Sequence, residues 1–317
     1  MEQKIRGRSR SRENRELTRM ILDFSQEMVI HTHAQAVMVY ADVFSSVEEL
    51  EKYLRGVEAA EVILITREDT SRVESLSDKV KIVHVPDILL TRMGQIKMGI
   101  LLGLSNGVIK RGDRLVCLSG IAGSGVLDTI VFMEMDEEFE LFSANGGETL
   151  TQCAKPEVFE RVMEIAVSLA NEGREGKPVG TTFVIGDLDK VKEFSEQIIL
   201  NPFHGYPEQE RNILDPNLEE TVKEFASLDG AFLIRSDGAI EAAGVYLRST
   251  IQGGELPMGL GARHKSASAI TAVTNSVAIT VSESSGTVTV FRSGKIMMEI
   301  ERPLPPRITR ESSREPT

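Results

Sequence analysis

The stretch over residues 228–265 constrains the fold more than any other part of the sequence. Two apolar runs typical of strands, 231–235 and 239–247, lie on either side of Asp237 and Gly238. Strand-like runs around an Asp-Gly pair are a strong signal for a β-hairpin, because these two residues suit its tight turn. We therefore predict a β-hairpin here, with the rest of the stretch arranged after it.

A compact group of cationic residues follows the hairpin, after a loop rich in Gly and Pro. Arg263, His264 and Lys265 stand directly before residues 266–275, which are small or apolar and are predicted to form a helix. Free backbone N–H groups and the helix dipole favour an anion at a helix N-terminus. With Asp229 at the head of the first strand, the pattern indicates metal-assisted chemistry on a nucleotide.

The sequence contains two Asp-Gly-Ala triplets, which begin at Asp229 and Asp237. Turn geometry alone explains the triplet at Asp237, since Asp and Gly both favour hairpin turns. Asp229 stands between a helix predicted over residues 218–226 and the first strand of the hairpin. A turn-forming role is open for Asp229 too, so local spacing does not separate the two triplets.

These residues resemble the catalytic domain of diadenylate cyclases, which join two ATP molecules into cyclic di-AMP. The family's Asp-Gly-Ala motif stands here as Asp229-Gly230-Ala231, and its Gly-Thr-Arg-His-Arg motif as Gly261-Ala262-Arg263-His264-Lys265. The similarity continues through residues 277–286 and reaches back more weakly to Pro156. The order and separation of the two motifs, with the hairpin between them, favour Asp229 over Asp237 as the family's acid.

The resemblance implies a role for each matching residue. Asp229 is expected to be catalytic and to bind a divalent metal, Mn²⁺ or Mg²⁺, with Glu283 as a second metal candidate. The residues expected to contact ATP are Gly230, Ala231, Leu247, Gly259, Gly261, Ala262, Arg263, His264, Lys265, Ser266, Ser282 and Glu283. For Ser282 and Glu283, a plain turn at the end of a strand predicted over residues 277–281 remains open.

Two positions depart from the family's pattern. Ala262 stands where the family usually has Thr, which removes a hydroxyl that could support phosphate or metal. Lys265 stands where the family has a second Arg, so the charge is kept but the planar two-pronged donor is lost. Neither change removes the general chemistry, and both leave the rate and the metal preference open.

The resemblance also implies an assembly, because in this family two catalytic domains face each other so that their two ATP molecules meet. A homo-oligomer with at least two facing domains is therefore expected, with ATP as substrate and cyclic di-AMP as product. Two alternatives stay open: a non-catalytic sensor of ATP or cyclic di-AMP with the same fold, and a monomeric nucleotidyltransferase acting on another acceptor. Retention of Asp229 favours the enzyme over the sensor.

The length of 317 residues predicts two domains, since a domain typically holds about 100–200 residues. The expected fold class is α/β, with a largely parallel sheet in the first domain and an α+β mixed sheet in the second. The expected division of the chain is a flexible basic tail (1–15), an α/β domain (16–143), a linker (144–154), the catalytic domain (155–302) and a disordered tail (303–317).

Strand and helix patterns alternate through the first half of the chain, which predicts a parallel sheet. The predicted strands are 36–40, 62–66, 80–85, 115–119 and 128–133, and the predicted helices are 16–30, 46–54 and 90–105. The region from Ala36, and above all the Gly-Asp turn and strand of residues 107–120, resembles the C-terminal domain of pyruvate kinase. We interpret this half as a regulatory or assembly domain without catalytic residues of its own.

Other motifs in the first half carry weaker signals. The Gly-rich run 120–125 lacks the Gly-Lys-Ser/Thr of a Walker loop, so a turn between strands is favoured, with an effector-phosphate site as the alternative. His31 and His33 have no third ligand at metal spacing, which favours surface or cap histidines. The acidic run 134–140 is interpreted as a solvated edge.

The second half shows clear element boundaries before the hairpin. Residues 156–172 have the periodicity of an amphipathic helix, with Pro156 in its first turn and Gly173 directly after it as start and stop signals. A buried strand is predicted at 181–185 and a helix start at 188–194. A polar loop over residues 201–212 follows, in which His204 is interpreted as a loop histidine rather than a substrate contact.

Composition indicates an ordinary globular protein. The net charge is −12, from 36 basic and 48 acidic residues, so a protein of this charge that binds ATP must concentrate its cations locally. No apolar run reaches the length of a membrane span, no signal peptide is visible, and Cys117 and Cys153 suggest no disulfide framework. A cytoplasmic location without membrane partners is expected. The basic tail has no interleaved aromatics, so a nucleic-acid partner is not indicated.

Overall fold

The computed structural model of the chain describes residues 2–44, 50, 60–67, 80–85, 90–121, 124, 126–135, 153–248 and 261–301. Several sequence predictions lie wholly or partly outside these residues. They are the helix over 46–54, half of the Gly-rich run 120–125, the acidic run beyond Met135, the linker up to residue 152, the Gly- and Pro-rich loop with Gly259, and the tail 303–317.

The first half of the described chain builds a five-stranded sheet with the order β3-β2-β1-β4-β5. Its strands are β1 (Ala36–Tyr40), β2 (Glu61–Thr66), β3 (Val80–His84), β4 (Arg114–Gly120) and β5 (Leu127–Glu134). The strands β1 to β4 run parallel to one another, and β5 pairs antiparallel with β4. Every residue of β1 is buried, as expected for a central parallel strand covered on both faces. The predicted largely parallel sheet is therefore confirmed.

Two described helices pack on this sheet. Helix α1 (Glu2–Thr32) contacts β4 and β5, and helix α2 (Arg92–Ser105) contacts β3 and β4. The hydroxyl of Thr91 caps α2 by accepting the backbone N–H of Gly94 at 3.0 Å. Helical backbone thus also covers residues 2–15, where the sequence suggested either a flexible tail or a frayed helix start.

The second half builds a seven-stranded mixed sheet with the order β12-β11-β10-β6-β8-β9-β7. The strands are β6 (Thr181–Ile185), β7 (Ser195–Gln197), β8 (Ala231–Ile234), β9 (Ile240–Leu247), β10 (Val277–Val281), β11 (Val288–Arg292) and β12 (Lys295–Ile300). Only the β6–β8 pair among these is parallel. The predicted hairpin is present as β8 and β9, and the mixed sheet confirms the predicted fold class of this half.

Helices cover both faces of the mixed sheet. They are α3 (Pro156–Glu172), α4 (Leu188–Glu193), α5 (Glu219–Phe225) and α6 (Ala262–Val273). Strand β6 shows how the layers form, because its side chains alternate: Phe183 and Ile185 join the core that includes α3, whereas Val184 joins the core that includes α6. Full burial of each such apolar side chain contributes about 1.5–3 kcal/mol.

The two halves touch through helix α2. Asn106 at its end donates to the Glu160 carboxylate at 3.1 Å, and the Lys97 ammonium donates to the backbone carbonyl of Glu299 at 3.0 Å. The second contact joins the first half to β12, a strand that borders the site described below. Within the described residues, no helix has the length and apolar character needed to cross a membrane.

Candidate active site

One cavity of about 1290 Å³ opens beside the first turn of α6 and lies over the mixed sheet. All the described residues that the sequence predicted for the site line this cavity. They are Asp229, Gly230, Ala231, Leu247, Gly261, Ala262, Arg263, His264, Lys265, Ser266, Ser282 and Glu283. These residues come from four separate segments of the chain, so the fold and not the sequence order brings them together.

Asp229 lies at the mouth of the cavity, and Gly230 after it allows the chain to pass close to strand β9. Gly230 has a φ of +109°, and a Cβ at this position would lie 2.6 Å from the backbone nitrogen of Val245. Only glycine suits this conformation and this close approach. The Asp229 side chain is consequently held clear of the hairpin and is 91% exposed.

Arg263 links two carboxylates that line the cavity, those of Asp229 and Glu283. One of its guanidinium nitrogens lies 3.7 Å from Asp229 Oδ1, and the other lies 3.5 Å from Glu283 Oε2. Both distances are long, and both carboxylates are largely exposed, so each ion pair contributes little to stability, about 0–1 kcal/mol. The two carboxylates and the guanidinium are therefore available to a ligand.

The first turn of α6 carries the cationic group itself, which corrects a prediction. The sequence placed the helix start at Ser266, whereas α6 begins at Ala262, with Gly261 as the N-cap residue. Good helix formers directly after a flexible cap allow this earlier start. Arg263 and Lys265 thus lie beside the free N–H groups of the helix, where an anion is favoured.

His264 points away from its two neighbours and into the protein. It is 9% exposed, its Nε2 lies 3.3 Å from the Thr289 hydroxyl, and its ring meets Phe291 edge-on at 5.8 Å. Burial lowers the pKa of His264 below its usual value, with a smaller opposing effect from Glu299. The imidazole is therefore neutral at pH 7, and the prediction of a triplet of cations is corrected to two cations and one buried hydrogen-bonding group.

The second Asp-Gly-Ala triplet lies at the opposite end of the hairpin. Asp237 accepts two hydrogen bonds from Arg235, at 2.8 and 2.6 Å, and these lower the pKa of its carboxyl to about 2. Gly238 N–H donates to the Arg235 carbonyl at 2.9 Å, which closes the turn. Asp237 does not line the cavity, and neither does the exposed loop residue His204. The structure thus brings Asp229 to the site and leaves Asp237 in a turn.

Ser282 and Glu283 lie in a turn at the end of a strand and also line the cavity, so their roles in binding phosphate or metal stay a prediction. They begin the turn from β10 to β11, in which Ser282 N–H donates to the Thr287 carbonyl at 2.9 Å. Both side chains also line the cavity, together with Ser284 and Ser285. This turn therefore lines the cavity with hydroxyl groups as well as with one carboxylate.

Some residues that line the cavity were not predicted from the sequence. The principal ones are Pro178, Thr182, Ile198, Val245, Tyr246, Thr289 and Glu299. The alternation of side chains along a strand could have predicted an exposed position for Tyr246. Its side chain is half exposed between two buried neighbours in β9. The others depend on strand pairing, which joins residues that are distant in the sequence.

Both halves of the chain match known protein families. Residues 168–296 match the family described as DisA bacterial checkpoint controller nucleotide-binding, and residues 17–142 match the family described as Probable sensor domain DacZ_P. A diadenylate cyclase from Methanocaldococcus jannaschii is 32% identical over 313 residues, which cover 90% of this chain and 97% of the relative. The chain belongs to the diadenylate cyclase family.

Two further proteins are similar to parts of this chain. A diadenylate cyclase from Haloferax volcanii is 34% identical over 247 residues, which cover 75% of this chain and 84% of the relative. The crystal structure of a double mutant of DacA from Staphylococcus aureus aligns with a TM-score of 0.28 and 24% identity, over 44% of this chain and 84% of that chain. The predicted diadenylate cyclase family, a family of nucleotidyltransferases, is confirmed.

The two matched segments fall inside the two domains predicted from the sequence, whose limits remain a prediction. The likeness of the first half to the C-terminal domain of pyruvate kinase also remains an expectation from the sequence. The family description for this half names it a probable sensor domain.

Proposed function

We propose that this protein condenses two ATP molecules into cyclic di-AMP and two pyrophosphates. The observation that carries the proposal is a cavity in which two carboxylates, Asp229 and Glu283, flank Arg263, and which Lys265 of the same helix N-terminus also lines. Such a set of groups can bind a triphosphate and act on a hydroxyl next to it. The family to which the chain belongs supports the same activity.

The reaction consists of two equivalent displacements. The 3′-hydroxyl of each ATP attacks the α-phosphate of the other, a new P–O bond forms, and the bond to the β-phosphate breaks so that pyrophosphate leaves. In our proposal, Asp229 accepts a hydrogen bond from the attacking hydroxyl and takes its proton. Its exposure at the cavity mouth suits a group that meets a hydroxyl arriving from a second nucleotide.

Arg263 and Lys265 hold the triphosphate in this scheme, assisted by the free N–H groups of the first turn of α6. They also stabilise the negative charge that develops on the leaving pyrophosphate. The hydroxyl groups of Ser282, Ser284 and Ser285 are available for further phosphate contacts from the opposite wall. Because His264 is buried and neutral, it adds no charge to the cavity. Its contact with the Thr289 hydroxyl supports the cavity wall.

A divalent ion fits the donor set of the site. Asp229 and Glu283 supply carboxylate oxygens, which Mg²⁺ and Mn²⁺ prefer. Within the described residues, no group of three or more His, Cys, Asp or Glu residues could hold an ion, so the nucleotide phosphates would complete the coordination. In our proposal Asp229 and Glu283 hold the ion. When bound, it would neutralise phosphate charge and make the hydroxyl a better nucleophile.

The proposed reaction needs two catalytic domains. One cavity offers one Asp229 and one pair of phosphate-binding cations, whereas two ATP molecules must react with each other. We therefore propose a symmetric arrangement in which two cavities face each other and each Asp229 meets the nucleotide of the partner. The half-exposed apolar side chains of Ile198 and Tyr246, which line the cavity, are consistent with a surface that a second copy covers.

The test is to incubate the purified protein with ATP and either Mn²⁺ or Mg²⁺ and to identify the products by mass. We expect cyclic di-AMP and pyrophosphate in a one-to-two ratio, loss of activity with a chelator, and a rate per protomer that rises with protein concentration as dimers form. Intact ATP with every metal, together with tight nucleotide binding, would instead support the sensor. A product other than cyclic di-AMP from a strictly monomeric species would support transfer to another acceptor.

A further inference from the structure

A row of side chains crosses the mixed sheet beneath the cavity, on the face that α6 covers. It is formed by paired positions of neighbouring strands, and its members are Glu299, Thr289, Thr280, Thr182, Ala231 and Val245. All of them except Thr280 line the cavity. The row is polar on the side of β12 and apolar on the side of β9. Thr182 is its last polar residue before the apolar side begins.

The hydroxyl groups of this row differ in their hydrogen bonding. Thr289 lies 3.3 Å from Nε2 of His264, and Thr280 donates to the Thr289 carbonyl at 3.4 Å. Thr182 is only 2% exposed, yet its Oγ1 has no hydrogen-bond partner among the residues that the structure describes. Buried hydroxyl groups in folded proteins nearly always have a partner, because an unpaired one destabilises the fold.

The position of Thr182 in the cavity indicates what its partner is. Arg263 and Lys265 mark the end that suits the triphosphate, at the first turn of α6. Thr182 lies on the floor beside Ala231, where the apolar side of the row begins. A neutral hydroxyl between Thr280 and Ala231, where the apolar side of the row begins, suits an uncharged polar group rather than a phosphate. A purine offers that combination, with apolar faces and a hydrogen-bonding edge.

We infer that Thr182 is a specificity residue whose hydroxyl is held for the nucleoside end of the bound ATP, where it hydrogen-bonds the edge of the base. The inference rests on the proposed function, because it takes ATP as the ligand of this cavity. A hydroxyl can both donate and accept, so it can serve a ring nitrogen or the exocyclic amine. In the free protein this hydroxyl lacks a described partner, and nucleotide binding supplies one.

The neighbouring residue provides a matched control. Thr181 lies in the same strand, is fully buried, and its Oγ1 also has no partner among the described residues. Its side chain alternates to the opposite face of the sheet, and it does not line the cavity. Thr181 and Thr182 therefore share burial and an unpaired hydroxyl, and of the two only Thr182 lines the cavity.

The experiment compares Thr182→Val, Thr181→Val and the wild type by calorimetry and thermal unfolding. The ligand is 3′-deoxy-ATP, which keeps the base and the triphosphate but lacks the attacking hydroxyl. Valine has nearly the shape of threonine, so we expect both variants to unfold at or above the wild-type temperature without ligand. We expect Kd to rise about tenfold in Thr182→Val, the effect of one lost hydrogen bond, and to stay unchanged in Thr181→Val. Thr182→Ser should recover most of the affinity.

A second ligand, inorganic triphosphate, distinguishes the nucleoside end from the phosphates. Its affinity should be the same in the wild type and in Thr182→Val. The inference is overturned if Thr182→Val binds 3′-deoxy-ATP as tightly as the wild type, if it loses affinity for inorganic triphosphate equally, or if it unfolds at a lower temperature without ligand. If the wild type itself binds no adenine nucleotide, the proposed function fails first and the inference fails with it.

Discussion

The guanidinium of Arg263 lies 3.7 Å from the carboxylate of Asp229, although the two residues belong to different elements, the first turn of α6 and the entrance to β8. This relationship joins the two motifs that the sequence shows separately. The contact is long and the carboxylate is 91% exposed, so the pair is a weak one that a nucleotide can open.

Arg263→Lys tests the guanidinium. Lysine keeps the charge but cannot reach two carboxylates and a phosphate with a planar fork, so we expect kcat/KM for ATP to fall about tenfold or more with little change in stability. Arg235→Lys is a matched control, since Arg235 is similarly exposed and also joins two carboxylates, Asp237 and Glu208, away from the cavity. Steady-state kinetics measure kcat/KM for both variants, and thermal unfolding measures their stability. Equal kcat/KM values for the two variants would show that Arg263 does not bind substrate.

Gly230→Ala tests the backbone that positions Asp229. A Cβ there would meet the Val245 nitrogen at 2.6 Å with φ at +109°, so we expect a loss of stability on the order of 1–3 kcal/mol and little activity. Gly261→Ala is the contrasting variant, because its φ is −71° and its Cβ would meet nothing described within 4 Å. Gly261→Ala should therefore fold like the wild type. Urea unfolding of both proteins measures the difference, and equal stabilities would contradict this view of Gly230.

His264 predicts a dependence of stability on pH. Burial lowers its pKa in the folded state, so the unfolded chain binds the proton more readily. The contribution of His264 to stability is therefore complete above a pH of about 6.5 and is lost as the pH falls towards the folded-state pKa. His264→Gln should reduce the slope of unfolding free energy against pH in this window. An unaltered slope in His264→Gln would contradict the burial of the neutral ring.

Asp237 predicts a separate effect in acid. Arg235 lowers the pKa of this carboxyl to about 2, so its contribution to stability is present above a pH of about 4 and is lost as the pH falls to about 2. Both side chains are more than one third exposed, so Asp237→Asn should cost no more than about 1 kcal/mol at pH 7. The variant should also show a flatter acid limb in thermal unfolding. A loss of several kcal/mol would mean that the pair has a larger role in the hairpin.

Local signals made much of the fold predictable. The helix that begins at Pro156 and ends before Gly173 was predicted with its observed bounds, because both termini carry strong start and stop residues. The hairpin followed from the Asp-Gly turn between two apolar runs, and the parallel sheet followed from the alternation of strands with helices. Each of these features depends on residues that are close in the sequence.

The neighbours of each strand in the sheet could not be predicted from the sequence. Thr182 meets Ala231 on one side and Thr280 on the other, and no local pattern in β6 reveals either neighbour. The burial of His264 has the same origin, because it depends on Thr289 and Phe291 in β11. The sequence could therefore name the polar groups at the cavity mouth, but the floor of the cavity required the structure.

The measurement that tests the central claim most directly is the rate of cyclic di-AMP formation by Asp229→Asn and Asp237→Asn beside the wild type. The two variants make the same chemical change in the same tripeptide, at opposite ends of one hairpin. We expect Asp229→Asn to lose all measurable turnover while still folding and binding ATP, and Asp237→Asn to keep the wild-type rate. Retention of activity in Asp229→Asn, or its loss in Asp237→Asn alone, would contradict the assignment of the active site.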